Sequence, residues 1–149
     1  MAVKPVILIV DDLPENILTI KLTLINENYD FIEAVNGLEA IEQVKKHNPD
    51  VILMDALMPL MNGFEATKEI RKLENSNRTP ILMISSLTLK SDKIGAIASG
   101  VNDFITKPFD NIELISRCRS YINMTKLNKK YIIIFLFLIR CSKHQKKPT

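Results

Sequence analysis

Three aspartates, a serine and a lysine each stand where an apolar run of this sequence stops. Asp11 and Asp12 follow Val6–Val10, and Asp55 follows Val51–Met54. Ser85 follows Ile81–Ile84, and Lys107 follows Phe104–Thr106. Carboxylates gathered in one place repel one another unless a cation joins them. An all-oxygen ligand set suits Mg2+, which keeps several waters and shares its shell with phosphate oxygens. A carboxylate can also act as a covalent nucleophile toward phosphorus. A lysine beside it supplies a second positive charge, and a hydroxyl such as Ser85 can donate to a phosphoryl oxygen. The residue types therefore point to Mg2+-assisted phosphoryl transfer.

That chemistry requires the five residues to meet, and the pattern of elements says how. Val6–Val10 and Val51–Met54 are short, wholly apolar runs, as expected of strands buried on both faces. Phe31–Val35, Ile81–Ile84 and Phe104–Thr106 read as three more strands. Between them lie helical patterns. Helix 1 starts near Pro14 and runs to about Asn26, with Ile17, Ile20, Leu24 and Leu18, Leu22, Ile25 at helical spacing. Helix 2 follows Asn36-Gly37, with Leu38, Ile41 and Val44 on one face. Helix 3 has Phe64, Thr67, Ile70 and Leu73 inward. Helix 4 covers Ser91–Ser99, with Gly95 inside it and Gly100 at its stop. Helix 5 is capped by Asp110, with Ile112, Ile115, Cys118 and Ile122 inward.

Strands alternating with helices and no hairpin signal imply an α/β fold, a doubly wound parallel sheet. Ligands of such sheets bind beyond the carboxyl ends of the strands, where strand order reverses. In the flavodoxin-like order 2-1-3-4-5, strands 1 and 3 are neighbours, so Asp11, Asp12 and Asp55 converge. Asp55 then lies between the aspartate pair on one side and Ser85 and Lys107 on the other, which makes it the nucleophile.

Composition excludes several other chemistries. Two cysteines, Cys118 and Cys141, are far apart, so neither a disulfide framework nor a zinc site is indicated, and a reducing cytosol suits them. His47 and His144 are too few and too distant for a His-metal centre or a hydrolase triad. The net charge of +3 hides two opposite parts. Up to Met124 there are 13 basic against 17 acidic residues, a net of −4; from Thr125 onward there are 7 basic and none acidic. The basic pI thus belongs to the last segment, and no direct nucleic acid binding is expected of the folded domain. No signal peptide is expected, because the first apolar run is short and passes straight into Asp11-Asp12. Neither a GxGxxG nor a Walker loop is present.

Four segments together carry a resemblance. These are Ile-Leu-Ile-Val-Asp-Asp (7–12), Ile-Leu-Met-Asp-Ala-Leu-Met-Pro-Leu-Met-Asn-Gly-Phe-Glu (52–65), Pro-Ile-Leu-Met-Ile-Ser-Ser (80–86) and Gly-Val-Asn-Asp-Phe-Ile-Thr-Lys-Pro-Phe (100–109). Over roughly residues 3 to 124 the chain resembles response-regulator receiver domains of phosphorelay signalling. The resemblance implies that Asp55 is the phosphoacceptor and that a histidine kinase or phosphotransfer protein is the donor. It implies Mg2+ held by Asp12 and Asp55, by Asp11 through water, and by the backbone carbonyl of Leu57. Lys107 would pair with the phosphoryl group, across a cis peptide to Pro108. Ser85 would move toward that group and Phe104 would rotate inward, switching the surface of helix 4, strand 5 and helix 5, through which a homodimer can form. Ser85 and Ser86 stand where Thr and Ala are frequent, and Phe104 lacks a tyrosine's hydroxyl. Helix 5 and its exit, Leu114–Tyr121, look like receivers that precede diguanylate cyclase domains, but no GG(D/E)EF signature occurs. The expectation is a phosphorylated switch, not an enzyme acting on other substrates.

Two other classes compete. An aspartyl phosphatase of haloacid-dehalogenase type wants an Asp-x-Asp after strand 1, where this chain has Asp-Asp-Leu-Pro. A phosphorylation-independent interaction module would have no use for the full set of Asp11, Asp12, Asp55, Ser85 and Lys107. The segment 125–149 is assigned to no domain. Within it Tyr131–Ile139 is apolar and β-prone, flanked by Lys129-Lys130 and Arg140. It is too short to span a bilayer. An altered or truncated end in place of an output domain is the favoured reading; dipping into a membrane surface, or pairing as a strand, are the alternatives.

Overall fold

A computed structural model describes residues 3–86 and 90–145 of the chain. Five strands, β1 (Val6–Val10), β2 (Asp30–Ala34), β3 (Val51–Asp55), β4 (Ile81–Ser85) and β5 (Asp103–Thr106), form one sheet in the order β2-β1-β3-β4-β5. Every pairing is parallel. This is the flavodoxin-like α/β arrangement expected from the alternation of elements. The apolar runs of β1, β3 and β4 are buried on both faces, with Ile7, Leu8, Ile9, Ile52, Leu82 and Met83 fully enclosed. The connecting helices α1 (Pro14–Thr23), α2 (Gly37–His47), α3 (Gly63–Arg71), α4 (Lys90–Ser99) and α5 (from Asn111) cover them.

The alternation of side chains along each strand divides the core in two. One cluster joins Ile7, Ile9, Leu53 and Ile84 to α1 and α5 through Ile17, Ile20, Leu114, Cys118 and Ile122. The other joins Leu8, Val10, Met54 and Met83 to α2 and α3 through Ala40, Val44, Ala66 and Ile70. Cys118 is a packing residue, and burial pushes its thiol up to about 12.

Several helical faces differ from the sequence expectation. In α1 only the Ile17, Ile20, Leu24 stripe turns inward; Leu18, Leu22 and Ile25 are exposed. The α-helix stops at Thr23 and tightens into a 3-10 turn, Ile25–Glu27, ahead of Asn28 in the left-handed conformation. In α2, Ala40 and Val44 are buried while Leu38 faces solvent. In α5, Ile112 is exposed and Leu114 is buried in its place. Two residues turn a helix by about 200°, so these two cannot share a face.

The largest difference lies in α5, which runs unbroken from Asn111 to Gln145. At 1.5 Å per residue it is about 50 Å long. The β-prone run 131–139 is thus helical, and Thr125 marks no break in secondary structure. The sequence has no Gly or Pro between Pro108 and Pro148, so nothing interrupts a helix already nucleated on the core. Residues 146–149 of the segment lie outside the described residues. Among the described residues, no helix is long and apolar enough to cross a membrane.

Two local devices hold the loops that surround the strand ends. Arg71, at the end of α3, donates from Nε to the Gly100 carbonyl, from Nη1 to the carbonyls of Ser76 and Thr79, and from Nη2 to Asn102 Oδ1. One guanidinium thereby joins the α3–β4 loop to the α4–β5 turn, where Gly100 has φ +105°. Gly63 lies so close to β3 that a Cβ there would sit 2.1 Å from the Asp55 carbonyl oxygen. Gly63→Ala should therefore destabilise the fold by about 3 kcal/mol, the upper part of the range for overpacking. Gly95→Ala, at a position where a Cβ meets nothing within 4 Å, should stabilise by up to about 1 kcal/mol. Urea unfolding of the two variants checks both signs.

Candidate functional site

Sheet register brings the polar strand ends together. Val10 lies opposite Met54 in the β1–β3 pair, so Asp11 and Asp55 follow one step beyond on adjacent strands. Asp55 lies opposite Ile84, which places Ser85 one residue further along β4. Ser85 is opposite Thr106, and Lys107 N donates to the Ser85 carbonyl at 2.8 Å. All five expected residues thus meet at one edge of the sheet.

Asp11, Asp12 and Asp55 each offer a carboxylate oxygen within 4.8 Å of the others. Asp11 is 1% exposed. Its Oδ1 accepts from Leu13 N at 3.0 Å and from Asn16 Nδ2 at 3.2 Å; its Oδ2 accepts from Lys107 Nζ at 2.8 Å. Lys107 Nζ is also 3.7 Å from Asp55 Oδ1. The Lys107–Pro108 peptide is cis, as the resemblance implies. Ser85 is buried at the end of β4, and Phe104 is half-buried in β5 against the α2–α3 side of the core. Leu57 directs its side chain to solvent in the β3–α3 loop. That loop is closed by Gly63 N donating to the Ala56 carbonyl at 2.9 Å, and by the Asn62 side chain, which caps α3.

Asn16 is a site residue that the sequence reading passes over as part of a helix start. Its amide clasps the Asp11 carboxylate. An Asn five residues after a strand-end Asp, behind a helix-starting Pro, is the available signal. Asn16 also lines a cleft of about 450 Å3 beside Lys107, together with Thr19, Ser86, Phe109 and Asn111.

Burial raises the Asp55 carboxyl from 3.8 to about 6. Lys107 opposes this, Asp11 adds to it, the Ala56 amide opposes it, and Asp12 adds a smaller push. A cation among three carboxylates would relieve the repulsion. The donor set, all hard oxygen with Lys107 alongside, fits Mg2+ rather than a softer metal.

A parallel five-stranded sheet with an acidic cluster and a lysine at its carboxyl edge defines the class of protein: a doubly wound domain built for phosphoryl chemistry. Residues 7–119 match the response regulator receiver domain family, and the chain belongs to that family. It is a receiver of the two-component, phosphorelay type. It is 38% identical to the chemotaxis protein CheY of Bacillus subtilis over 118 residues, covering 78% of this chain and 97% of CheY. It is 38% identical to the response regulator GtcR of Aneurinibacillus migulanus, covering 76% of this chain and 46% of that protein. With PleD of Caulobacter vibrioides it shares 34% identity, covering 76% of this chain and 25% of PleD. The chain therefore spans less than half the length of GtcR and PleD. Among solved structures, the receiver domain of the sensor histidine kinase PA1611 from Pseudomonas aeruginosa, with magnesium coordinated in its active site cleft, aligns with TM-score 0.76 at 32% identity. That match covers 81% of this chain and 99% of the PA1611 domain.

The raised Asp55 carboxyl fixes a pH dependence. Between about pH 4 and 6 the folded protein holds a proton that the unfolded chain has lost, so rising pH lowers stability across that window. Without divalent cations, Asp55→Asn should therefore stabilise the protein at pH 7.5 by on the order of 2 kcal/mol. The difference should vanish below about pH 4. Thermal melts of both proteins at the two pH values check this, and added Mg2+ should raise the melting temperature of the wild type more than that of the variant.

Proposed function

We propose that Asp55 accepts a phosphoryl group from the phosphohistidine of a sensor histidine kinase or phosphotransfer protein. The observation that carries this reading is the convergence of Asp55 with Asp11 and Asp12, and the reach of Lys107 to both Asp11 and Asp55. An Asp55 carboxylate oxygen attacks phosphorus in line and forms the O–P bond, while the P–N bond breaks, its electron pair returns to nitrogen, and the donor leaves as neutral imidazole with the proton its other ring nitrogen already carried. Asp12 and Asp55 would hold Mg2+ directly, Asp11 through water, with the Leu57 carbonyl as a further ligand. Bound there, the ion supplies neutralising charge to the phosphoryl oxygens.

The chain's own groups do the remainder. Lys107 exchanges part of its contact with Asp11 for a phosphoryl oxygen, and the Ser85 hydroxyl donates to another. Asn16 keeps Asp11 oriented while that exchange occurs. The cleft beside Lys107, lined by Asn16, Thr19 and Phe109, suits the docking of a donor helix. Movement of Ser85, with Phe104 turning inward behind it, carries the change to the surface of α4, β5 and α5. That surface presents Ile94 and Ile97 to solvent and pairs Asp103 with Arg117 and Tyr121, and a homodimer or an output partner would form on it. The turnover proposed for the receiver is its own phosphorylation and hydrolysis. A donor charged from ATP places the reaction in the cytoplasm.

Intact mass after incubation with acetyl phosphate should show one added phosphoryl group, dependent on Mg2+ and absent from Asp55→Asn. No adduct under conditions that label another receiver, together with no beryllofluoride binding, would instead mark a phosphorylation-independent interaction module. Lys107→Ala should still bind Mg2+ but lose most of the adduct. Asn16→Ala should slow labelling by roughly 10-fold, the scale of a lost hydrogen bond to a charged group.

A further inference from the structure

The part of α5 beyond the receiver body has an unusual surface. Every residue from Tyr131 to Ile139 is between 39% and 68% exposed, so the helix is apolar around its whole circumference over two and a half turns. Cations bracket it: Lys126 and Lys130 before, Arg140 and Lys143 after. No acidic residue follows Glu113. We propose that this segment is a membrane-binding helix that seats in the interface of an anionic lipid bilayer, with the flanking cations at the level of the lipid phosphates.

The competing occupant is a second copy of the same helix, and the residues argue against it. Met124, Leu127, Tyr131, Ile134, Leu138 and Cys141 follow the 3-4 spacing of a coiled-coil seam. A seam covers one stripe, however. It would leave Ile132, Ile133, Leu136 and Ile139 in water. The positions beside such a seam hold Lys130, Phe135 and Phe137, with no carboxylate to form the interhelical pairs that fix partner and orientation. Whether parallel or antiparallel, two copies bring like charges together. A lipid interface can take up a broader arc of the helix than one neighbouring helix does, and an anionic surface supplies the missing negative charge. The nine apolar residues span about 14 Å, short of a bilayer core, which fits shallow seating rather than crossing.

The root of the helix sets the orientation of the domain. Asp50, just before β3, accepts from Lys129 Nζ at 2.6 Å through Oδ1 and from Val6 N at 2.8 Å through Oδ2, and its carbonyl accepts from Thr125 Oγ1. The helix therefore leaves at the amino ends of the strands. The acidic cluster lies at their carboxyl ends, about 16 Å away along five residues of strand. The helix exit and Asp55 thus lie at opposite ends of the strands, so a seated helix does not cover the acidic cluster.

Flotation of the full chain on a density gradient tests the proposal, because vesicle-bound protein rises while aggregates stay below. The chain should rise with vesicles of phosphatidylcholine mixed with phosphatidylglycerol. It should rise far less with phosphatidylcholine alone, and molar salt should weaken binding. Phe135→Asp with Leu138→Asp should abolish flotation. Lys130→Gln and Arg140→Gln, exposed substitutions that spare the fold, should each lower the partition coefficient about fivefold. A chain that remains below with anionic vesicles overturns the proposal. If light scattering then shows a dimer that Leu138→Asp disperses, the helix belongs to a second copy. Flotation that is equal with neutral vesicles and indifferent to the charge substitutions would overturn the anionic-lipid assignment.

Discussion

The contact between Lys107 Nζ and Asp11 Oδ2, at 2.8 Å, answers the main electrostatic problem of this fold. Three carboxylates crowd the ends of two adjacent strands, one of them almost wholly buried. An unbalanced cluster of that kind would favour protonation or unfolding. The lysine reaches it because β5 closes the sheet beside β4 and ends at Thr106, one residue before Lys107. Register, strand length and the turn into α5 all serve that placement. The tension that remains is visible in Asp55, whose carboxyl stays high despite the lysine. A divalent cation seated among the three carboxylates would relieve it by adding the positive charge that Lys107 alone does not supply.

Much of this was legible in the sequence, for a specific reason. Parallel strands share a direction, so residues that end successive apolar runs meet at one edge whatever lies between them. Asp11, Asp12, Asp55, Ser85 and Lys107 needed only that rule and a strand order. Asn16 was not legible, because its role depends on how tightly α1 starts against β1, and an Asn near a helix start has many other uses. The approach of Gly63 to the Asp55 carbonyl was likewise hidden, since the spacing of residues does not report the distance between two stretches of backbone. Inward faces were predicted well where one stripe was apolar, as in α3, and poorly where apolar residues lay on several sides, as in α1 and at Ile112.

The run 131–139 was ambiguous for a different reason. A stretch with no polar residue has no period, so helix and strand look alike. What decides is continuity: α5 arrives at Tyr131 already helical, rooted on the core through Leu114, Cys118 and Ile122, and nothing in the sequence stops it. Intrinsic β-preference in the isoleucines costs little beside the cost of ending a formed helix and starting a new element.

Arg71 gives the molecule a fulcrum. Its bonds to the Gly100 carbonyl and to Asn102 pin the turn after α4 to the loop after α3. Gly95, midway along α4, has open space around it. The Gly100 end of α4 is thus its tethered end. In the proposed switch, a shift at Ser85 would therefore act on a helix whose far end is tethered to α3 by a guanidinium.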